Sequence, residues 1–369
     1  MAGPRSERAL AAARMRAHGL VEPLETPGAV VERLLCVQAQ DLPAAKWAIA
    51  ARTAAARVPD VDRAIDRGEI VRTWPMRGTL HLLPAGDVRW MLGLTAERMR
   101  RASARRREQL GLTDRDVVRA ADASVGALSG GRALDRARLF ASWNAAGVDT
   151  AGQRGYHLLS LLAIDGLVCH GPVEGRNQRF VLLEEWAPRQ RELAGDEALA
   201  ELAVRYLRGH GPATERDLAW WAGLPLGAVR RGVAAAGTAL VRDGQDRLSG
   251  ADAPAPAAGG ELPTVALPGF DEYFLGYADR TPLAPPDAIA RIVPGGNGVF
   301  RPIVVASGRV AGTWSSTRTG MRAIVDVDPF RDLTARERRR LAASVRRWGC
   351  ATGADAELAE PASADVERE

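Results

Sequence analysis

Two carboxamides separated by one small residue, Gln38-Ala39-Gln40, sit in the stretch Leu34-Leu35-Cys36-Val37-Gln38-Ala39-Gln40-Asp41, at the junction of two expected helices. On an extended link, residues two apart project to the same side, so both amides can face one cavity. A glutamine carbonyl accepts a hydrogen bond and can position a water. The same spacing also suits Gln38 and Gln40 as caps or solvated turn residues. A second constellation follows at Thr73-Trp74-Pro75-Met76-Arg77-Gly78-Thr79-Leu80-His81-Leu82-Leu83. Arg77, Thr79 and His81 alternate on one strand face and can line a groove, while Leu80 and Leu82 pack inward. A lone strand histidine is equally at home in a structural role, and Trp74 suits either the core or a stacking surface. Asp41, Trp74, Arg77, Thr79 and His81 are therefore the candidate lining around Gln38 and Gln40.

Other chemistries lack their signatures. No P-loop, GxGxxG, HExxH or GxSxG pattern occurs in the chain. Cys36, Cys169 and Cys350 are far apart, and none of the five histidines neighbours a cysteine at metal-ligand spacing. Neither a metal nor a cofactor is expected. No apolar run approaches the roughly 18–20 residues of a membrane span, and Met1–Arg5 is not followed by a signal-peptide core. A cytoplasmic protein with reduced thiols is the expectation.

The elements that must position these residues repeat a rhythm of three helices and a hairpin. The first copy is expected to use helices at Ser6–His18, Pro27–Cys36 and about Leu42–Ala56, a short helix at Val61–Arg67, then strands at Ile70–Thr73 and Gly78–Leu83. The second opens at the capping sequence Thr113-Asp114-Arg115-Asp116. It continues through Asp116–Leu128, Asp135–Ala145 and Gly152–Asp165 to strands Leu167–His170 and Arg179–Leu183. The third runs through Asp196–Arg208, Thr214–Ala222 and Leu226–Ala236 to strands Ala239–Arg242 and Arg247–Ser249. Helix–helix–helix–hairpin is the winged-helix pattern, a helix-turn-helix with a β wing, and three copies strengthen the reading. Past the Ala/Pro/Gly-rich linker Ala251–Gly260, strands are expected at Val299–Ala306, Arg309–Trp314 and Ala323–Val327, then an arginine-rich helix at Ala335–Trp348. The expected architecture is mainly α with β (α+β): winged-helix units at 1–110 (with the Gln-x-Gln motif and a connecting helix), 111–193 and 194–250. A C-terminal β domain follows at 261–352, and 353–369 is read as a disordered acidic tail.

The formal charge of +5 conceals an asymmetry. From Asp355 onward six acids oppose only Arg368, so the rest of the chain carries about +10 and favours a polyanion. Lys46 is the sole lysine and the other 49 basic residues are arginine, which grips phosphate in bidentate fashion. Arginine codons of a GC-rich genome give the same count.

At these residues the chain resembles the AlkZ/YcaQ-like DNA glycosylases, bacterial winged-helix (HTH_42) proteins. The resemblance rests on Gln38–Gln40, MRGTLHLL at Met76–Leu83, LPGFDEYFLGYADR at Leu267–Arg280, and NGVFRPIVV with GRVAGTW across Asn297–Trp314. The second glutamine resembles the AlkZ-like branch, since the YcaQ-like branch has aspartate there. The resemblance implies a C-shaped stack of winged helices with a C-terminal β-barrel and a basic channel for double-stranded DNA. It implies excision of bulky N7-alkylguanines, unhooking of interstrand crosslinks in some members, and self-resistance of bacteria that make an alkylating natural product. It carries the family's paired glutamines to Gln38 and Gln40.

Such chemistry fits two neutral amides. N7-alkylation makes guanine a cationic leaving group that needs no general acid, so what remains is to place water near C1′ and tolerate a cation on the sugar. Strand cleavage through a Schiff base would need an amine, and only Lys46 offers one. Bulky lesions resist full extrusion, so an open groove is expected, with Gln38 and Gln40 approaching the sugar from the minor-groove side. Arg52, Arg57, Arg154, Arg176 and Arg179 are candidates for phosphate contacts, and a monomer acting at the nucleoid is expected. A winged-helix transcriptional regulator and a non-catalytic protein that sequesters the drug or adduct are the competing readings.

Overall fold

A computed structural model describes residues 4–55, 57–175, 177–253, 261–296 and 298–360. Its first segment contains helices α1 (Pro4–Ala17) and α2 (Pro27–Leu34), the two-residue strand β1 (Val37–Gln38), helices α3 (Leu42–Ala50) and α4 (Val58–Asp66), and strands β2 (Ile70–Met76) and β3 (Thr79–Pro84). Side-chain caps set the helix starts: Thr26 accepts from the Ala29 N–H ahead of α2, and Asp41 from the Ala44 N–H ahead of α3. The third helix stops at Ala50, short of the expected Ala56. Its C-terminus instead hands over to Arg52, whose guanidinium turns back onto the Ala48 carbonyl. The connecting helix is α5 (Val88–Gln109).

The second segment comprises α6 (Asp114–Leu128), α7 (Arg136–Ala145), α8 (Arg154–Ile164), β4 (Val168–Glu174), β5 (Asn177–Leu182) and the short α9 (Leu183–Trp186). The third comprises α10 (Gly195–His210), α11 (Glu215–Ala222), α12 (Leu226–Ala236), β6 (Leu240–Arg242) and β7 (Leu248–Gly250). Reciprocal capping boxes at Thr113/Asp116 and Thr214/Asp217 start α6 and α11. Gly223, in the left-handed region, ends α11. The hairpins do not stand as three separate wings. Arg72 of β2 pairs with His170 of β4, which merges the first two into one sheet ordered β1-β3-β2-β4-β5. The β6–β7 hairpin forms a separate two-stranded sheet, with Leu248 bridged antiparallel to Ala213 ahead of α11.

The C-terminal segment carries β8 (Val265–Leu267), α13 (Glu272–Leu275), α14 (Pro286–Ile292), β9 (Ile303–Ala306), β10 (Arg309–Thr319), β11 (Arg322–Pro329), α15 (Ala335–Thr352) and β12 (Asp355–Leu358). Its sheet has the order β12-β11-β10-β9-β8 and curls as a half-barrel, not a closed barrel. Leu341 and Val345 of α15 pack with Trp314, Ala323 and Val325 and cover the face that closure would turn inward. The expected acidic tail also needs correction. Asp355–Leu358 is a parallel strand on β11, with Glu357 ion-paired to Arg322; residues 361–369 lie outside the described residues, as do 254–260 of the expected linker. One large core runs from the first segment to the last, including Trp90, Trp143, Trp221, Tyr206, Tyr273 and Tyr277. Among the described residues no helix is long and apolar enough to cross a membrane.

Candidate functional site

The Gln38–Gln40 link is held at three consecutive peptide groups, the middle one through the Ala39 N–H, which donates to the Leu80 carbonyl at 2.8 Å. The Gln38 N–H donates to Glu272 Oε1 at 3.0 Å across 234 residues of sequence. Just beyond it, the Ala39 carbonyl accepts from Arg72 Nε at 3.0 Å and Nη2 at 2.7 Å, while Arg72 Nη1 donates to Gln178 Oε1. Gln38 retains 8% of its surface, and Gln40 is exposed, its Oε1 accepting from the Leu80 N–H at 3.3 Å. Asp41 is exposed, with one carboxylate oxygen committed to the α3 cap. Burial pulls the Arg72 guanidinium down to about 10, so it remains a cation at neutral pH and holds the link in charge-assisted fashion.

Gln38 and His81 are cross-strand partners on one face of the sheet, but His81 lines no open groove. It has no exposed surface, with the Arg77 guanidinium and the Glu272 carboxylate of the C-terminal segment beside it. Its Nδ1 donates to the Thr79 carbonyl at 2.9 Å, and its Nε2 lies 3.4 Å from Arg77 Nη2. Thr79 is half-buried, with its Oγ1 lacking a partner among the described residues. Arg77 and Gly78 both have positive φ and form the two-residue hairpin turn between β2 and β3. An arginine in the left-handed region is uncommon; here it swings the guanidinium over the Trp220 ring, 5.1 Å from its centroid. Arg280 covers the same ring at 4.7 Å. Trp74 belongs to the core, not to a stacking surface: 2% exposed, it packs on His170 and meets Tyr156 edge-on. Beyond it a cavity of about 480 Å³ opens between α5 and α8, lined by Trp74, Arg77, Arg98, Met99 and Tyr156.

Glu272, Arg72, Gln178 and Trp220 are absent from the sequence-level candidates. Glu272 is 1% exposed and sits in the quoted LPGFDEYFLGYADR stretch, where two adjacent acids inside an apolar run were the available signal. Its Oε2 accepts from Trp221 Nε1 at 2.9 Å and lies 3.5 Å from His210 Nε2. Burial pushes its carboxyl up, but His210, His81 and the indole N–H outweigh that and hold it near 2.

The candidate phosphate-binding arginines divide. Arg52 has no exposed surface and is ion-paired with Asp271, so it has nothing to offer a phosphate. Arg154 is mostly buried, bonded to the Leu110 and Asp149 carbonyls and near the carboxylates of Asp116 and Asp149. Arg179 binds the Glu174 carboxylate and the Ala133 carbonyl. Arg57 is exposed. Arg176 lies outside the described residues.

Buried histidines should make the fold acid-sensitive. Burial, with help from Arg77, lowers His81 to about 4; burial and then Arg72 lower His170 to about 3. Above pH 6.5 both are neutral folded or unfolded and their contribution is fully present. Below it the unfolded chain takes up protons that the native state refuses, so each group costs about 1.4 kcal/mol per pH unit until its folded value is reached. The urea midpoint should be level from pH 8 to 7 and fall between pH 6.5 and 4; a midpoint unchanged at pH 5 contradicts this burial.

The chain is similar to known proteins over most of its length. The profile of the family "DNA glycosylase AlkZ-like" matches residues 31–350. An "Interstrand DNA cross-link repair glycosylase" of Streptomyces sahachiroi is 31% identical over 322 residues, covering 80% of this chain and 84% of that protein. The solved structure of the Streptomyces sahachiroi DNA glycosylase AlkZ superposes with a TM-score of 0.78 at 27% identity, covering 95% of this chain and 99% of that one.

Proposed function

This chain belongs to the AlkZ-like DNA glycosylase family, and from that premise we propose that it hydrolyses the N-glycosidic bond of bulky N7-alkylguanines in duplex DNA without cutting the strand. The observation that carries the reading is the clamped link, which presents the Gln40 carboxamide at the surface and the edge of Gln38 beside it. In the proposed reaction a glutamine carbonyl orients water toward C1′; as the C1′–N9 bond breaks the cationic base departs neutral, the water oxygen bonds C1′, and one water proton passes to solvent. The name of the Streptomyces relative extends the proposed substrates to interstrand crosslinks, and with them the proposed role to self-resistance against a genotoxic natural product. The three helix-and-hairpin segments, at 1–110, 111–193 and 194–250, act in this reading as winged helices shaping a C-shaped basic channel, with 261–352 closing one end. Arg57 and Arg98, both exposed and without an ion pair among the described residues, join Arg77 and Arg280 as phosphate-facing cations in that channel.

Lys46 supports hydrolysis over Schiff-base chemistry. It is 7% exposed and ion-paired with Asp62, poorly placed to meet a deoxyribose. Incubation with duplex carrying one N7-alkylguanine should release the modified base by mass and leave an alkali-labile abasic site. Borohydride should trap no enzyme–DNA adduct. Tight binding to one operator with no base released would favour a regulator, and stoichiometric protection without turnover a sequestering protein.

A further inference from the structure

We infer that Glu272 is a positioning residue for the glycosylase reaction, a buried acceptor that fixes the Gln38 backbone against departing from its reactive placement. The inference rests on the assignment of Gln38 proposed above. Three observations carry it. The first is reach: Glu272 comes from α13, at the far end of the chain, yet its Oε1 takes the Gln38 N–H at 3.0 Å. The second is saturation, because the other oxygen takes the Trp221 indole N–H from α11. One carboxylate thereby ties the third segment and the C-terminal segment to the strand that carries Gln38. The third is burial. At 1% exposure water cannot substitute for either bond, and losing one leaves an unsatisfied donor in the interior. Arg72 restrains the Ala39–Gln40 peptide group, two further along, through the Ala39 carbonyl, so the link is held on both its donor and its acceptor side.

The chemistry demands a carboxylate specifically. Only an ionised acid presents acceptors on both oxygens. In Glu272→Gln the side chain keeps its size, but its NH2 must face either the Gln38 N–H or the Trp221 N–H, donor against donor. The amide oxygen can satisfy one of them, never both. Trp221→Phe removes one competing donor, so in the double variant the amide oxygen is free to accept from Gln38. A merely structural carboxylate gives no reason for the second substitution to repair the first.

The test measures single-turnover excision, duplex affinity and melting temperature on the full chain, with an N7-alkylguanine duplex as probe. Glu272→Gln should lower the excision rate about tenfold or more with duplex affinity unchanged. Adding Trp221→Phe should recover most of that loss, although the double variant keeps no more of the core contacts. Glu272→Asp, which keeps the charge and withdraws it by one methylene, should lose rate without rescue by Trp221→Phe. A folded Glu272→Gln enzyme at the wild-type rate overturns the inference, and so does a double variant no faster than the single. Gln38→Ala run in parallel separates the two levels: if it is fully active, the assignment of Gln38 has failed. If it is inactive while Glu272→Gln is unaffected, only the role of Glu272 has. Should none of the Glu272 variants fold, hydrogen exchange in the wild-type chain decides, because a Gln38 amide exchanging as fast as an exposed loop overturns the clamp.

Discussion

Gln38→Ala should lower excision of an N7-alkylguanine about 100-fold, equivalent to about 2.7 kcal/mol of barrier, and leave duplex affinity within about twofold. The size follows from what a neutral amide can do. It has no proton to exchange at neutral pH, so its contribution is orientation of a nucleophile already helped by a cationic leaving group. Affinity should hold because only 8% of Gln38 is exposed, too little to bury much DNA surface. Gln40→Ala should cost less. Its side chain is exposed and its one side-chain hydrogen bond among the described residues is the 3.3 Å bond from Leu80, so solvent can replace part of what is lost. Single-turnover release of the free base, together with a binding isotherm on an uncleavable duplex, checks both. Wild-type excision by a folded Gln38→Ala enzyme would remove the glutamine from the reaction, and a matching loss of affinity would make it a binding residue.

The helix-and-hairpin rhythm was legible because capping and periodicity are local. Thr113 with Asp116 and Thr214 with Asp217 announce helix starts within four residues of sequence, and both form reciprocal capping boxes. The link at Gln38 was legible for the same reason, lying between a helix stop and the Asp41 cap. What surrounds it was not. Alternation along Thr79–Leu83 marks one face as open, but it cannot register that Glu272 arrives beside His81 from the C-terminal segment. Arg72 reads as one polar residue on a strand; its meeting with the Ala39 carbonyl depends on the placement of β1 against β3. Arg52 fails differently. Sequence gives its charge and the end of its helix, and both suit a phosphate as well as an internal carboxylate. Only the long-range fold brings Asp271 to it.

That ion pair should produce the largest stability effect in the molecule. Arg52 and Asp271 each have no exposed side-chain surface, and they meet through two parallel bonds of 2.8 and 2.7 Å. The guanidinium also donates to the His18 and Ala48 carbonyls, and Asp271 caps α13 through the Tyr273 N–H. Arg52→Ala therefore leaves a buried carboxylate with a fraction of its partners, at a cost of about 3–5 kcal/mol, a large share of the roughly 5–15 kcal/mol that holds a typical domain. Arg52→Met combined with Asp271→Asn should cost less than Arg52→Ala alone. It removes both charges, retains an acceptor for the Tyr273 N–H, and fills the space of the aliphatic stem. Urea midpoints of the variants test this, and additive losses would mean that the two charges do not depend on each other. The same pair bears on catalysis because Asp271 precedes Glu272 in the chain. With Arg52 gone, the segment that carries Glu272 to the Gln38 N–H loses its anchor to α3, so at a temperature where Arg52→Ala remains folded its excision rate should fall as well. The Arg52→Met, Asp271→Asn enzyme, still capped at Tyr273, should excise faster than Arg52→Ala. Equal rates would separate the stability of this junction from the placement of the glutamine.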